Sequence, residues 1–169
     1  MDDVSSPRPA PDQPIANLAV KVTLLDSDNN VGDSQVAYAP LDVIPPGAAI
    51  PLGVVFAGGS QPNALAAPLT ADSGSTLMAR YAMLAVTNLL GGPAPAGFTL
   101  TATLTNTNPA IVSAIRVVAT VYNASGVAGY RLIQIADPLN PNDSVQISIS
   151  LSGVTQITRW AVLAQGRLP

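Results

Sequence analysis

The densest set of hard oxygen donors in the chain lies in DSDNNVGDS, positions 26–34. Asp26, Asp28, Asn30 and Asp33 are spaced so that their oxygens could wrap a hard cation such as Ca²⁺. The helix–loop–helix calcium loop needs Gly at its sixth position and an acid at its twelfth. Val31 stands at the sixth and the chain contains no Glu, which excludes that loop. The same residue types favour a hairpin turn. A second segment, Asn123-Ala124-Ser125-Gly126, follows a similar strand pattern without any carboxylate. A turn is therefore the expected role of residues 26–34, and a Ca²⁺ site is the alternative.

A second constellation pairs arginine with an aromatic twice: Arg80-Tyr81 within ARYAMLAV (79–86) and Arg159-Trp160 within TRWAVLAQ (158–165). Such a pair can stack on a sugar or on a partner protein. It also suits a strand that turns its Arg to water and packs its aromatic on a core. These four residues are the interface candidates. Phe, Trp and Tyr together make up only 4% of the chain, too few for an obvious glycan platform.

Beyond these, the chemistry is sparse. The chain has no His and no Cys. It therefore lacks the commonest general base, thiolate nucleophiles and metal ligands, and disulfides. The acidic residues are all Asp, placed mostly in turns or in the N-terminal tail, and no Ser sits in a nucleophile-elbow pattern. The expectation is a non-enzyme without a cofactor. A net charge of −3 and a pI near 4.4 give no basic stripe for nucleic acid. Asn123-Ala124-Ser125 and Asn142-Asp143-Ser144 match the glycosylation triplet, as chance allows in so Asn- and Ser-rich a chain.

The elements that must carry these residues follow from composition and period. Charged residues are 10% of the chain, against about 25% in ordinary soluble domains. Lys21 is the only Lys. Without Lys and Glu there is little to cover helix faces, whereas plentiful Val, Ile and Thr with 16 Pro and 13 Gly favour short strands. Period-two alternation predicts strands with Leu18, Val20, Val22 and Leu24 on one face, and likewise Ile115, Val117, Ala119 and Val121. It predicts further strands through Ile50, Leu52, Val54 and Phe56, and through Val145, Ile147, Ile149 and Leu151. A Pro-containing turn precedes each of these last two: Ile44-Pro45-Pro46-Gly47 and Leu139-Asn140-Pro141-Asn142. The apolar window at 43–59 carries three prolines and reads as turn plus strand, not as a membrane helix.

These matches define an internal repeat. In this reading ARYAMLAV and TRWAVLAQ are the last strands of two copies. Residues 1–14 form a Pro-rich tail. Residues 15–90 form repeat 1, with an insertion at 60–79 and no opening strand. Residues 97–169 form repeat 2, opened by a strand with Phe98, Leu100, Ala102 and Leu104 on one face. The Gly- and Pro-rich stretch NLLGGPAPAG, 88–97, reads as the linker. Alternating strands without helical period predict an all-β protein of two tandem antiparallel β-sandwich domains.

The strand-and-turn order of each copy resembles the FxLYD-type domain, an immunoglobulin-like sandwich of prokaryotic envelope proteins. The family's signature falls on Val22-Thr23-Leu24-Leu25-Asp26 and on Ala119-Thr120-Val121-Tyr122-Asn123, both without the leading aromatic. The LTNTNP stretch after the second copy's opening strand fits as well. The resemblance implies an extracytoplasmic, non-catalytic structural or binding module. Low charge on the outward strand positions, with little Lys to blunt sheet edges, points to assembly with a protein partner or further copies. The missing opening strand of repeat 1 leaves three readings open: the insertion, with Ala64, Leu65 and Leu69, folds back over the gap; a segment of another subunit adds as a strand; or the given chain is a fragment whose first strand was cut away. A module binding a glycan or Ca²⁺ is the alternative.

Overall fold

The computed structural model describes residues 12–26, 28–56 and 63–169. The N-terminal tail read from the sequence and the first part of the insertion at 60–79 fall largely outside these residues.

The described chain is all-β, built of antiparallel sheets, with one short 3-10 turn at Met78–Arg80. It divides into two compact units after Thr76. The first contains β1 (Ile15–Leu25), β2 (Val31–Tyr38), β3 (Val43–Ile44) and β4 (Asn63–Ser73). β1 is the central strand. β2 pairs with its residues from Ala19 to Leu25 and β3 with Ile15 and Ala16, while β4 runs along its other side.

The second unit contains β5 (Tyr81–Met83), β6 (Ala85–Ala94), β7 (Gly97–Thr105), β8 (Ser113–Asn123), β9 (Gly126–Ile135), β10 (Ser144–Ser152) and β11 (Arg159–Arg167). One sheet has the order β10-β7-β6 and the other β5-β11-β8-β9. Apolar side chains from both sheets make one core. Phe98, Leu100 and Leu104 enter it from β7, Ala102 being buried in the same alternation, and Ile115, Val117, Ala119 and Val121 enter it from β8. Trp160 packs against its rim, its ring 5.4 Å from that of Phe98.

Three expectations are corrected. First, ARYAMLAV and TRWAVLAQ are not equivalent last strands of two copies. They are hydrogen-bonded neighbours in one sheet: β5 pairs antiparallel with β11, Tyr81 opposite Arg167 and Met83 opposite Gln165. Two strands that share an alternation pattern can be copies or partners, and similarity alone does not distinguish them.

Second, residues 88–97 are not a linker between domains. They belong to the β6–β7 hairpin, and the units divide at 76/77. β6 is an edge strand, where Pro93 removes no needed ladder donor. Gly91 is required by close approach: a Cβ there would lie 2.7 Å from Phe98 and 2.9 Å from Trp160. Gly and Pro were thus placed by sheet geometry and not by flexibility.

Third, the stretch read as an insertion holds a strand, β4. β4 pairs with β1 as β11 pairs with β8. The strand expected through Ile50, Leu52, Val54 and Phe56 does not form: residues 49–56 make no strand pairing with any described residue.

Candidate functional site

The turn after β1 is built by Asp26. Its Oδ1 accepts hydrogen bonds from the backbone N–H of Asp28 at 2.9 Å and of Asn30 at 2.8 Å, and its Oδ2 accepts from Asn30 Nδ2 at 3.1 Å. The backbone N–H of Asn30, its side-chain amide and the N–H of Asp28 together hold the Asp26 carboxyl below the usual carboxylate range, the first being the largest influence. Asp33 is occupied locally, Oδ1 accepting from the N–H of Ser34 at 2.7 Å. Among the described residues no three acidic side chains gather as a metal site would require. The turn after β8 uses the same device with a neutral side chain: Asn123 Oδ1 accepts from the N–H of Ser125 at 2.9 Å. The geometry of DSDNNVGDS is therefore that of a side-chain-stapled hairpin turn.

The four interface candidates do not converge. Arg159 and Trp160 open β11, and Tyr81 lies across from Arg167 at its end. β11 is nine residues long, so its two ends lie about 26 Å apart at ~3.3 Å per residue. Each aromatic is half-buried and both Arg80 and Arg159 are exposed. The Arg159 guanidinium lies 4.1 Å over the Tyr122 ring and that of Arg167 lies 5.8 Å over Tyr81. These are cation–π contacts within one sheet. Arg131, on β9, donates from Nη1 to the Ser150 carbonyl at 2.8 Å, capping one outward acceptor on the edge strand β10.

No family model, curated protein or solved structure matches the chain. The functional reading therefore rests on internal comparison, and here the two units are informative. Asn17 in β1 and Ala114 in β8 occupy the same place, each at positive φ (51° and 48°) and each one residue before the apolar alternation begins. Asp26 and Asn123 staple equivalent turns. Ile15 pairs with Ile44 as Val112 pairs with Leu139. The next turn is equivalent too: Gly47 has φ 75° and Asn142 φ 67°, with Ala48 N–H donating to Pro45 O and Asp143 N–H donating to Asn140 O.

Beyond that turn the units part. In the second, the chain enters β10, which pairs with β7 from Ser144 to Ser152 without a register shift. In the first, residues 49–56 have no such neighbour among the described residues. Their burial still alternates from Leu52 on: Leu52, Val54 and Phe56 are half-buried, Gly53 is exposed, and Val55 is 83% exposed. The face of β1 that should oppose a second sheet is half-covered at Leu18, Val20, Val22 and Leu24, whereas Ile115, Val117, Ala119 and Val121 are at 0%. β4 is exposed from Ala64 to Ser73.

One determinant escaped the sequence reading. Asn106, after β7, is fully buried and satisfied. Its Nδ2 donates to the carbonyls of Ala110 and Leu139, both at 2.9 Å, and its Oδ1 accepts from Asn108 N–H and Nδ2. It ties β7 to the turn that launches β10. The signal was the LTNTNP stretch, but nothing local marks which of its Asn residues goes inside.

Proposed function

We propose that the chain is a non-catalytic structural subunit that works outside the cytoplasm through protein–protein contact. In this reading the two units are diverged immunoglobulin-like β-sandwich repeats of the FxLYD type. The second has both sheets, and the first has one sheet and, among the described residues, no strand of the other. The observation that carries the reading is the half-covered apolar face of β1, together with residues 49–56, which pair with no described residue. A half-open sheet of this kind leaves backbone donors, acceptors and apolar surface to be covered by another chain. The outward face of the β10-β7-β6 sheet adds support. Its positions on β7 and β10 hold Thr99, Thr101, Thr103, Thr105, Ser144, Gln146, Ser148 and Ser150, an uncharged surface of the sort that tolerates close association. No helix among the described residues is long and apolar enough to cross a membrane.

The test mixes the full chain with a detergent extract of the envelope of the cells that make it and follows it by sedimentation. Calorimetry with Ca²⁺ and a glycan panel runs alongside. A faster-sedimenting species of defined mass and no heat from either ligand are expected. A chain that stays at one mass and takes up Ca²⁺ or a glycan with heat belongs to the alternative, a ligand-binding module.

A further inference from the structure

We infer that the chain binds a second copy of itself head to tail, the acidic first unit of one copy docking on the basic second unit of the next through one sheet face of each. The inference rests on the assembly reading above and names the partner and the two surfaces.

The modest overall charge hides two units of opposite sign. Residues 1–76 hold eight Asp against Arg8 and Lys21, a net charge of −6. Residues 77–169 hold five Arg against Asp137 and Asp143, a net charge of +3. Fields of opposite sign steer two surfaces together, over a reach of about 8–10 Å in ordinary salt.

On the second unit the basic charge gathers on the outward face of the β5-β11-β8-β9 sheet. Ile115, Val117, Ala119 and Val121 mark the core face of β8, and the alternate positions point the other way. Register sets Tyr130, Thr120 and Ala161 side by side there, and next to them Leu132, Val118 and Leu163. Val118 is 1% exposed yet stands outside the core between the sheets, and Tyr130 and Leu132 are each 42% exposed. This is an apolar middle with arginine at both ends, Arg159 where β11 begins and Arg167 where it finishes. Their stacking on Tyr122 and Tyr81 holds the guanidinium groups against the face. Arg116, opposite Gln165, adds a third. The two acids of this unit, Asp137 and Asp143, lie outside its strands.

The first unit offers the complement. On the face of β1 that carries Lys21 and Thr23, Val36 lies beside Lys21 and Leu65 beside Thr23, with Tyr38 and Val31 towards the two ends. Tyr38 is 76%, Val31 69% and Leu65 53% exposed. Asp26 and Asp28 lie at one end of β1 and Asp72, opposite Ala16, at the other, all exposed. β1 and β11 are of similar length, 11 and nine residues, so acids at the ends of one can meet arginines at the ends of the other. Lys21 is the one base on the first face, and its length lets the ammonium reach the rim while its stem covers apolar surface. Four strands ~4.8 Å apart and about 26 Å long make a face of about 500 Å². Docking then buries about 1,000 Å² in all, the lower end of specific interfaces. Apolar contact of that size is weak by itself, and the charges decide partner and orientation. Because the two surfaces differ, each added copy leaves one of each kind open, and association continues head to tail.

Sedimentation velocity of the full chain alone, over a range of concentrations, is the test. The mean mass is expected to rise with concentration in dilute buffer. It is expected to fall back to that of one chain in about 1 M NaCl, where the Debye length is ~3 Å. Two variants at exposed positions each close one surface: Leu132→Asp on the second unit and Tyr38→Arg on the first. Each is expected to weaken self-association by about tenfold or more with an unchanged circular dichroism spectrum. Mixed one to one, they are expected to form a species of two chains and nothing larger, since one intact surface of each kind remains. That recovery also shows that both variants are folded. A single mass at every concentration of the unaltered chain overturns the inference. So does self-association that salt does not weaken, that either variant keeps in full, or that the mixture fails to recover while both variants keep the native spectrum. A heavy species with envelope extract but none from the chain alone makes a different protein the partner and leaves the assembly reading standing. If neither preparation gives a heavy species, the assembly reading itself fails.

Discussion

β1 and β8 are two answers to one sequence pattern. Each carries a residue at positive φ just before its apolar side chains alternate on one face, and each ends in a turn stapled by an Asx side chain. Yet Val117, Ala119 and Val121 are sealed, while Val20, Val22 and Leu24 are half-covered. Dihedrals, bulges and turns are local and recur with the local sequence. Burial is supplied from elsewhere in the chain, here by β6, β7 and β10, and the first unit has no described counterpart of that sheet. The same strand is thus a core element in one unit and a surface in the other.

The comparison is broken most forcefully by truncating equivalent positions. Ile115→Ala should destabilise the second unit by about 2–5 kcal/mol, since a fully buried side chain leaves a cavity. Leu18→Ala should cost the first unit no more than about 1.5 kcal/mol, because that side chain is only partly buried. Denaturant unfolding followed by Trp160 fluorescence reports the second unit, which holds the only Trp, and hydrogen exchange in β1 reports the first. Equal losses at the two positions would mean that the first unit is as well covered as the second.

Gly91→Ala should cost about 1–3 kcal/mol by overpacking against Phe98 and Trp160. Trp160 fluorescence should shift towards that of a more solvated ring. A neutral outcome would return residues 88–97 to the role of a linker. Ala114→Asn tests the local half of the comparison. Asn17 shows that Asn suits this left-handed position, so the substitution should raise stability by a few tenths to about 1 kcal/mol, read as a small rise in Tm.

The smallest effect is electrostatic. Because hydrogen bonds lower the Asp26 pKa in the folded state, its contribution is present above the unfolded carboxylate value and is lost as pH falls through the folded one. Asp26→Asn copies the Asn123 turn. It should leave stability near neutral pH almost unchanged and flatten the acid-side loss in the first unit, followed by melting between pH 2 and 5.

What was legible in the sequence was what neighbours along the chain decide. The strands through β1, β7, β8 and β10 and the two pairs of turns were readable from alternation and from Asp, Asn, Pro and Gly. The Arg residues of the two echoes face water as a strand reading allows. What was not legible was which strand lies beside which. ARYAMLAV looked like a copy of TRWAVLAQ because both satisfy the same sheet, and β4 was hidden because its Ala-rich NALAAPLTADS carries no alternation. Gly91 and Pro93 resembled a linker because the ring that needs the space, Trp160, comes far later in the chain. Residues 49–56 have the pattern of a strand, but a pattern cannot provide the neighbour that makes one.

Backbone hydrogen exchange of the full chain alone, compared between β10 and residues 49–56, asks directly whether the first unit is half of the second. Amides of β10 that bond to β7 should exchange slowly, while those of residues 49–56 should exchange faster by about a hundredfold or more, close to unprotected chain. Equal, slow exchange in both segments at all protein concentrations would show that residues 49–56 already have a strand beside them within their own chain, and would contradict the reading of the first unit as half-covered.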